Sequence, residues 1–508
     1  MKTLHQCLLD YPLVLLQAIA EMRGVRLAST GQQQVADQLA AALTDPPNIA
    51  AAVAACSPEA QAALRELIAA SGRVTAPAFA RAHGELRTFG PGRLARETPW
   101  RDPINAAEEL WYRGLIARGF APLGAGLAEF VFVPRDVLPH LPLAAAEPPG
   151  FHLAPAPQPA VVQIAADSLL EDACTLLSFV QEEGAWVDHR SRWRARSLAA
   201  LNERLMFPAR LDSFDPEESG DPLALLLHLA KRLGWLREEQ RQLHLQAAPV
   251  RTWLEGTHPQ QRQLLWAAWR DAPEWDDLCR SPGLRCESTG PHDRRVARHK
   301  LLGHLARCEA GVWYAVSDFA AAVKRVDPDF QRPDGDYRSW YVRDAASGRY
   351  LMGFEHWEQV EGALIAYVLS GPAHWLGATD VGEFPPHAAD GAAAPPAAAT
   401  FRLTAAGAAL LGLAAEEPPQ PTPPRLTVQP DFRVLVPHGT ACFDRFRLGR
   451  FAVWEASRPA FRYRITQAAL KHAQEQGIST APILAFLRRA SGGDLPPNIV
   501  RALTTWEK

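Results

Sequence analysis

Apolar positions recur along the chain with two periods, and their order predicts the elements before any side-chain chemistry is considered. In residues 11–22 a helical spacing places Leu13, Leu16 and Ile19 on one face that stops at Gly24, and Val35, Leu39 and Leu43 mark a second helix. Ser57 and Pro58 open another helix with Leu64, Leu67 and Ile68 inside. Gly72 turns the chain, Val74 predicts a short strand, and residues 76–82 predict a second helix. Asn105 and Glu108 form a capping box for a third, which runs through Leu110 and Leu115. Phe120 and the apolar run 130–133, joined by a glycine-rich turn at 124–126, predict a β-hairpin.

That order of helix, strand, two helices and hairpin returns twice. In the second pass the helices cover residues 169–180, 198–205 and 223–233, Trp186 is on the strand, and Leu236, Leu243 and Leu245 belong to the hairpin. A tryptophan-rich helical connector, residues 259–269, precedes the third pass. There Leu301, Leu302 and Leu305 lie on the first helix, Trp313 on the strand, Phe319 and Val323 on the second helix, and residues 360–369 form the third. Trp375 and Leu376 lead into a hairpin that closes at Phe401 and Leu403 after an Ala/Pro-rich insertion, residues 385–399. This is the element order of a winged helix, and its return at a spacing of roughly 110 to 130 residues is stronger evidence than any single copy. Pro-rich linkers at 144–160 and 418–424 punctuate the array.

The last stretch has its own pattern. Leu426, Val428, Phe432, Val434 and Val436 alternate with polar residues around Pro430, and Phe461, Tyr463 and Ile465 supply a partner strand. Between them Phe443, Phe446, Phe451 and Trp454 predict a helix that lays an aromatic stripe on the sheet. Thr466 caps a helix stapled by Ile465 and Leu470 and stopped by Gly477. Ser479 starts a third helix burying Ile483, Leu484, Phe486 and Leu487, and Pro496 and Pro497 precede a last one ending at Trp506. The predicted class is α+β, mainly helical. It comprises a helical hairpin (1–45), three winged-helix units (46–143, 161–256 and, with the connector, 257–416) and a small α/β module (425–508).

The strings LTVQPDFRVLVP, FRLGRFA, FRYRITQAALKHAQEQG and ILAFLRRASGGDLPPNI resemble the helicase-associated domain of the XPB type. That domain occurs near the N-terminus of the XPB repair and transcription helicase and, in bacteria, at the C-terminus of stand-alone proteins that carry winged-helix units. The resemblance implies DNA transactions and contact with an XPB-like helicase or another repair or transcription protein. It brings no catalytic residues. The first two helices, joined by residues 25–31, resemble the DNA-associated SAP motif, with Gln32, Gln33 and Gln34 where that motif has a lysine.

Charge narrows this picture. The 508 residues carry a net charge of only -3, so DNA affinity must come from local patches. Three are visible. Arg190, Arg192, Arg194 and Arg196 surround Trp193, with His189 and Arg204 near them in sequence, and bases can stack where basic residues interleave with an aromatic. Arg93, Arg96 and Arg101 lie in a predicted loop, and Arg294, Arg295 and Arg298 head a helix. The third helices of the first and third repeats carry Glu108, Glu109 and Glu361 and make poor reading heads. In the last module Arg433, Arg462 and Arg464 fall on one sheet face as a candidate partner-binding strip.

Catalytic signatures are missing. There is no Gly-Lys or Asp-Glu dipeptide and no HExxH, so the chain is not a helicase motor and reads as a non-enzyme without cofactor. Seven scattered cysteines without CxxC predict free thiols in a reducing cytoplasm, and the spacings of Cys279, Cys286, His292, His299, His304 and Cys308 fit no zinc pattern. No apolar run long enough for a membrane span occurs. Two functions are expected from this reading. One is a DNA-binding accessory protein, acting on forked or single-stranded DNA, that positions or regulates a helicase; the other is a winged-helix scaffold or transcriptional regulator without direct DNA contact.

Overall fold

Side chains at the predicted starts cap the helices: Ser57 Oγ accepts from the Ala60 amide at 3.2 Å and Thr466 Oγ1 from that of Ala469 at 3.1 Å. Asn105 accepts from the Glu108 amide at 2.8 Å, but the Glu108 carboxylate turns to Arg87, 2.6 Å away, and only the forward half of that capping box forms. These features come from a computed structural model that describes residues 1–124, 126–165, 168–212, 214–290, 292–383, 399–414 and 422–506. Most of the Ala/Pro insertion, part of the last linker and Ala125 of the first hairpin turn lie outside the described residues. The fold is α+β, with five small sheets among the described residues, in two units: Met1–His152 with Val323–Trp340, and Leu153–Ala322 with Tyr341–Lys508.

In the first unit, Leu16, Ile19, Val35, Leu39 and Leu43 share one core with Leu64, Leu67 and Leu110, so the N-terminal hairpin is built into the first repeat. Helices Leu4–Leu9 and Pro46–Ala54 add to the predicted ones, and the expected loop around residue 95 is a helix, Pro91–Glu97. Strand Arg73–Thr75 pairs with Gly126–Phe132, which pairs with Ala117–Leu123, all antiparallel. The segment Val323–Trp340 is clasped by Arg81, which donates twice to Asp329 at 2.8 and 2.9 Å and lies 5.3 Å from the Tyr337 ring centre.

The second unit is organised around helix Ser168–Glu182, in which residues 171–180 are buried without exception. Such a helix needs neighbours on every side. Helices Ala195–Arg204, Pro222–Arg232 and His258–Arg270 and strand Gln242–Leu245 cover part of it. Strand Ala185–Trp186 pairs with Gln242–Leu245, the second strand of the hairpin that Leu236–Glu239 begins. In the next sheet Trp313–Ala315 pairs with Ala399–Leu403, the second strand of the hairpin that Thr379–Glu383 begins. The same connectivity therefore occurs three times: the short strand after a first helix pairs with the second strand of the later hairpin. Cys279 and Cys286 form a disulfide, which corrects the expectation of free thiols throughout; the other five cysteines are buried thiols.

The C-terminal strands pair in the order Thr427–Val428, Arg433–Val436, Phe461–Arg464, Val453–Ala456. Trp454 is thus on a strand, and the predicted aromatic helix ends earlier, as Cys442–Gly449. Its inward face is Cys442, Arg445 and Leu448, while Phe443 and Phe446 are half-buried. Arg445 meets the central helix: its guanidinium lies 3.2 Å from the Glu171 carboxylate, donates to Thr175 Oγ1 at 3.0 Å and to the Glu171 carbonyl, and covers the Phe461 ring at 3.8 Å. Arg204 pairs with Glu182 at 3.0 Å and stacks 5.0 Å from the Trp454 ring, away from the cluster around Trp193 that the sequence suggested for it. The linker before residue 425 therefore does not separate two independent cores.

Burial pushes the Asp172 carboxyl up to about 7, although it accepts from the Met206 amide at 2.6 Å. Because this folded value exceeds the usual ~3.9 of an unfolded aspartate, the stabilising contribution is complete below about pH 4 and lost as pH rises through 7. Asp172→Asn, which keeps the acceptor, is expected to flatten the fall in melting temperature between pH 4.5 and 7.5; an unchanged fall would assign it to other groups. Among the described residues, no helix is long and apolar enough to cross a membrane.

Candidate nucleic-acid interface

The loop after strand Ala185–Trp186 is a tight reversal held by one carboxylate. Asp188 Oδ1 accepts from the amides of Arg190 and Arg192 at 2.8 and 3.0 Å, and Val187 and Trp193 bridge across the base. These hydrogen bonds, the Arg192 amide foremost, hold Asp188 below the usual carboxylate range. The reversal presents Arg190, Arg192 and Trp193 to a cleft of about 580 Å³. Arg194 is turned away, donating to the Val187 carbonyl at 3.1 Å and lying 5.8 Å from the Trp186 ring centre, and Arg196 is exposed on the next helix.

The facing wall is helix Pro222–Arg232, the third of its repeat, capped by Asp221 through the Ala224 amide at 2.9 Å. Its leucines are buried, and His228, Lys231 and Arg232 line the cleft. Their signal in the sequence is spacings of three and four that put them on one helix face, masked there by the leucines around them. Arg280 closes one end. It donates to the carbonyls of Pro216 and Glu217 at 3.2 and 2.7 Å and stacks 3.8 Å from the Trp275 ring centre.

Charge in the cleft is mixed but favours cations. Arg232 pairs with Glu274 at 3.1 Å and Arg192 with Asp188 at 3.3 Å, whereas Arg190 and Lys231 have no carboxylate partner among the described residues. Burial, reinforced by the nearby Arg280 charge, lowers the His228 pKa to about 4, so this ring is neutral near pH 7. The arrangement suits a phosphate-bearing strand: cations along two walls and, on one of them, the half-buried indole of Trp193, on which a base can stack.

The remaining sequence candidates have other surroundings. Arg93 pairs with Glu97 at 2.7 Å and Arg101 with Glu21 at 2.8 Å, while Arg96 is exposed. Arg294 pairs with Asp276 and Arg295 with Asp293, both at 2.7 Å. Arg298 is buried entirely and so leaves the set of phosphate candidates. It binds Asp277 at 2.7 Å and donates to the carbonyls of Trp269, Ala272 and Trp275 at 2.7–3.0 Å. Arg433, Arg462 and Arg464 converge on Glu455 at 3.2, 3.0 and 2.5 Å, and Arg464 foremost keeps that carboxyl below its usual range. The expected basic strip is thus partly neutralised from within, by Glu455 and by Asp431, which pairs with Arg433 at 3.1 Å.

Comparison of the whole chain with curated proteins finds no match. Its C-terminal segment, residues 426–508, matches the family described as the helicase conserved C-terminal domain, which gives this part of the chain a helicase-related character.

Proposed function

We propose that the chain is a non-catalytic accessory protein that binds forked or single-stranded DNA and positions or regulates a helicase, of the XPB type, in repair or transcription. The observation that carries this reading is the cleft between the Asp188 reversal and helix Pro222–Arg232, where Arg190 and Lys231 lack carboxylate partners among the described residues and Trp193 lines the cleft beside Arg192. The threefold recurrence of one strand connectivity supports winged-helix units, and the third helix of such a unit is the element that enters a groove. The family match at residues 426–508 supports the link to a helicase.

Fluorescence anisotropy of the full chain on forked and single-stranded DNA at a series of salt concentrations tests this. Replacing Arg190, Arg192 and Lys231 together by Ala is expected to weaken binding and to flatten the log–log salt slope by about two units, at ~0.7 per lost contact on a single strand. An unchanged slope with unchanged affinity would sink the assignment of the cleft. A second reading, a scaffold contacting only protein, is favoured at one place: the arginines around Glu455 suit a polar protein surface better than phosphates. In that case a helicase is retained on the immobilised chain while DNA is not.

A further inference from the structure

The C-terminal module contains a second, smaller cavity, about 240 Å³, lined by two arginines. It opens between the end of helix Cys442–Gly449 and the start of helix Thr480–Ser491. Arg447 and Arg450 line it, and the apolar remainder of the wall includes Phe451, Ile478, Ile483 and Phe486. In the same module Arg445 pairs with Glu171 and Arg489 with Asp444, and Arg433, Arg462 and Arg464 share Glu455. Arg447 and Arg450 have no ion-pair partner among the described residues, and the Arg450 Nε is buried without an acceptor. An anion in the cavity would supply the counter-charge that these two guanidinium groups lack.

Three features define what fits. Two guanidinium groups on one wall supply two positive charges in fork geometry, which matches a dianionic phosphate monoester better than a single carboxylate. Ser479, the N-cap of the 12-residue helix Thr480–Ser491, also lines the cavity and makes no side-chain cap, so the positive end of that helix dipole adds to the same field. Arg447 is already placed over an aromatic surface, 4.9 Å from the Phe486 ring centre, which limits the side-chain freedom lost on binding. The cavity also extends beyond what an inorganic anion fills, along apolar walls that suit a base or sugar.

We propose that this cavity binds a nucleoside phosphate monoester through Arg447 and Arg450, with the nucleoside against the apolar wall. The monoester comes either from a free nucleotide or from the 5′-phosphate end of a strand. This site is distinct from the cleft that carries the proposed function, and neither assignment depends on the other.

Calorimetric titration of the full chain with inorganic phosphate, dAMP and a ten-nucleotide thymidine strand with and without a 5′-phosphate tests the proposal. The expected result is that dAMP, or the 5′-phosphorylated strand relative to the unphosphorylated one, binds at least ~10-fold tighter than inorganic phosphate does or than the plain strand does, respectively. Preference for dAMP identifies a free nucleotide; preference for the phosphorylated strand identifies a strand end. R447Q/R450Q is expected to abolish that preference and R447K/R450K to retain part of it, since lysine keeps the charge but not the fork. If the unaltered chain distinguishes neither dAMP from phosphate nor the two strands from one another, the site is overturned whatever the variants do. A folded R447Q/R450Q chain that keeps the full preference overturns it equally.

Discussion

Arg445→Met will lower the stability of the full chain by ~3–5 kcal/mol, the range for removing one partner of a buried ion pair. The cause is the charge left behind. Glu171 is buried on the central helix, accepts from the Gly439 amide at 2.7 Å and faces Arg445 at 3.2 Å; without the guanidinium its carboxylate has no cation in contact. The Thr175 hydroxyl and the Glu171 carbonyl lose a donor at the same time. R445M/E171Q should recover part of the loss, because a neutral amide strands no charge and still accepts from Gly439. Denaturant titration checks both, and a loss under about 1 kcal/mol for the single variant would show that the pair is solvated or replaceable. The same contact predicts that a chain cut before residue 425 fails to fold its second unit, so the proposed docking to a helicase is tested with surface substitutions in the module and not by deleting it.

Arg298→Met is expected to cost a similar ~3–5 kcal/mol, while Arg294→Ala and Arg295→Ala each stay within about 0.5 kcal/mol. All three arginines occupy the first turns of one helix, Arg294–Leu305, and sequence alone gives them one role. Their surroundings differ. Arg298 neutralises Asp277, whose other oxygen accepts from the indole N–H groups of Trp269 and Trp275 at 3.2 and 3.0 Å, and it satisfies carbonyls at the end of the preceding helix. Removing it orphans several acceptors together. The pairs of Arg294 and Arg295 are solvent-accessible and worth little. Thermal melts of the three variants decide this, and a mild Arg298→Met would mean that the Asp277 network stands without its cation.

Both buried arginines leave a trace in the sequence that charge-based reading discards. Arg298 lies at helical spacing with Leu301, Leu302 and Leu305, and Arg445 with Cys442 and Leu448. A cation within an apolar stripe signals a buried partner somewhere, but the partner's identity is nonlocal: Glu171 is hundreds of residues from Arg445. The strands of the C-terminal module were legible because Val434, Val436, Phe461 and Tyr463 alternate strictly with outward residues. Trp454 falls outside the helix because the apolar spacing that begins at Phe443 crosses Gly449, where the helix ends. Of the candidate interface, the Arg190–Trp193 wall was visible as a local cluster. The opposite wall required knowing that helix Pro222–Arg232 faces it, which only the packing supplies.

The central helix of the second unit also imposes a delay on biosynthesis. Arg445 follows the Glu171 carbonyl that it binds by 274 residues, so at about 5–20 residues per second the ribosome completes the helix ~15–55 s before its cation exists. During that interval a fully inward-facing helix with acidic residues has one side uncovered. Nascent chains stalled short of residue 442 should therefore be bound by chaperones or cleaved by proteases, and the interval between synthesis of residues 171 and 445, not the first repeats, sets the yield of folded protein.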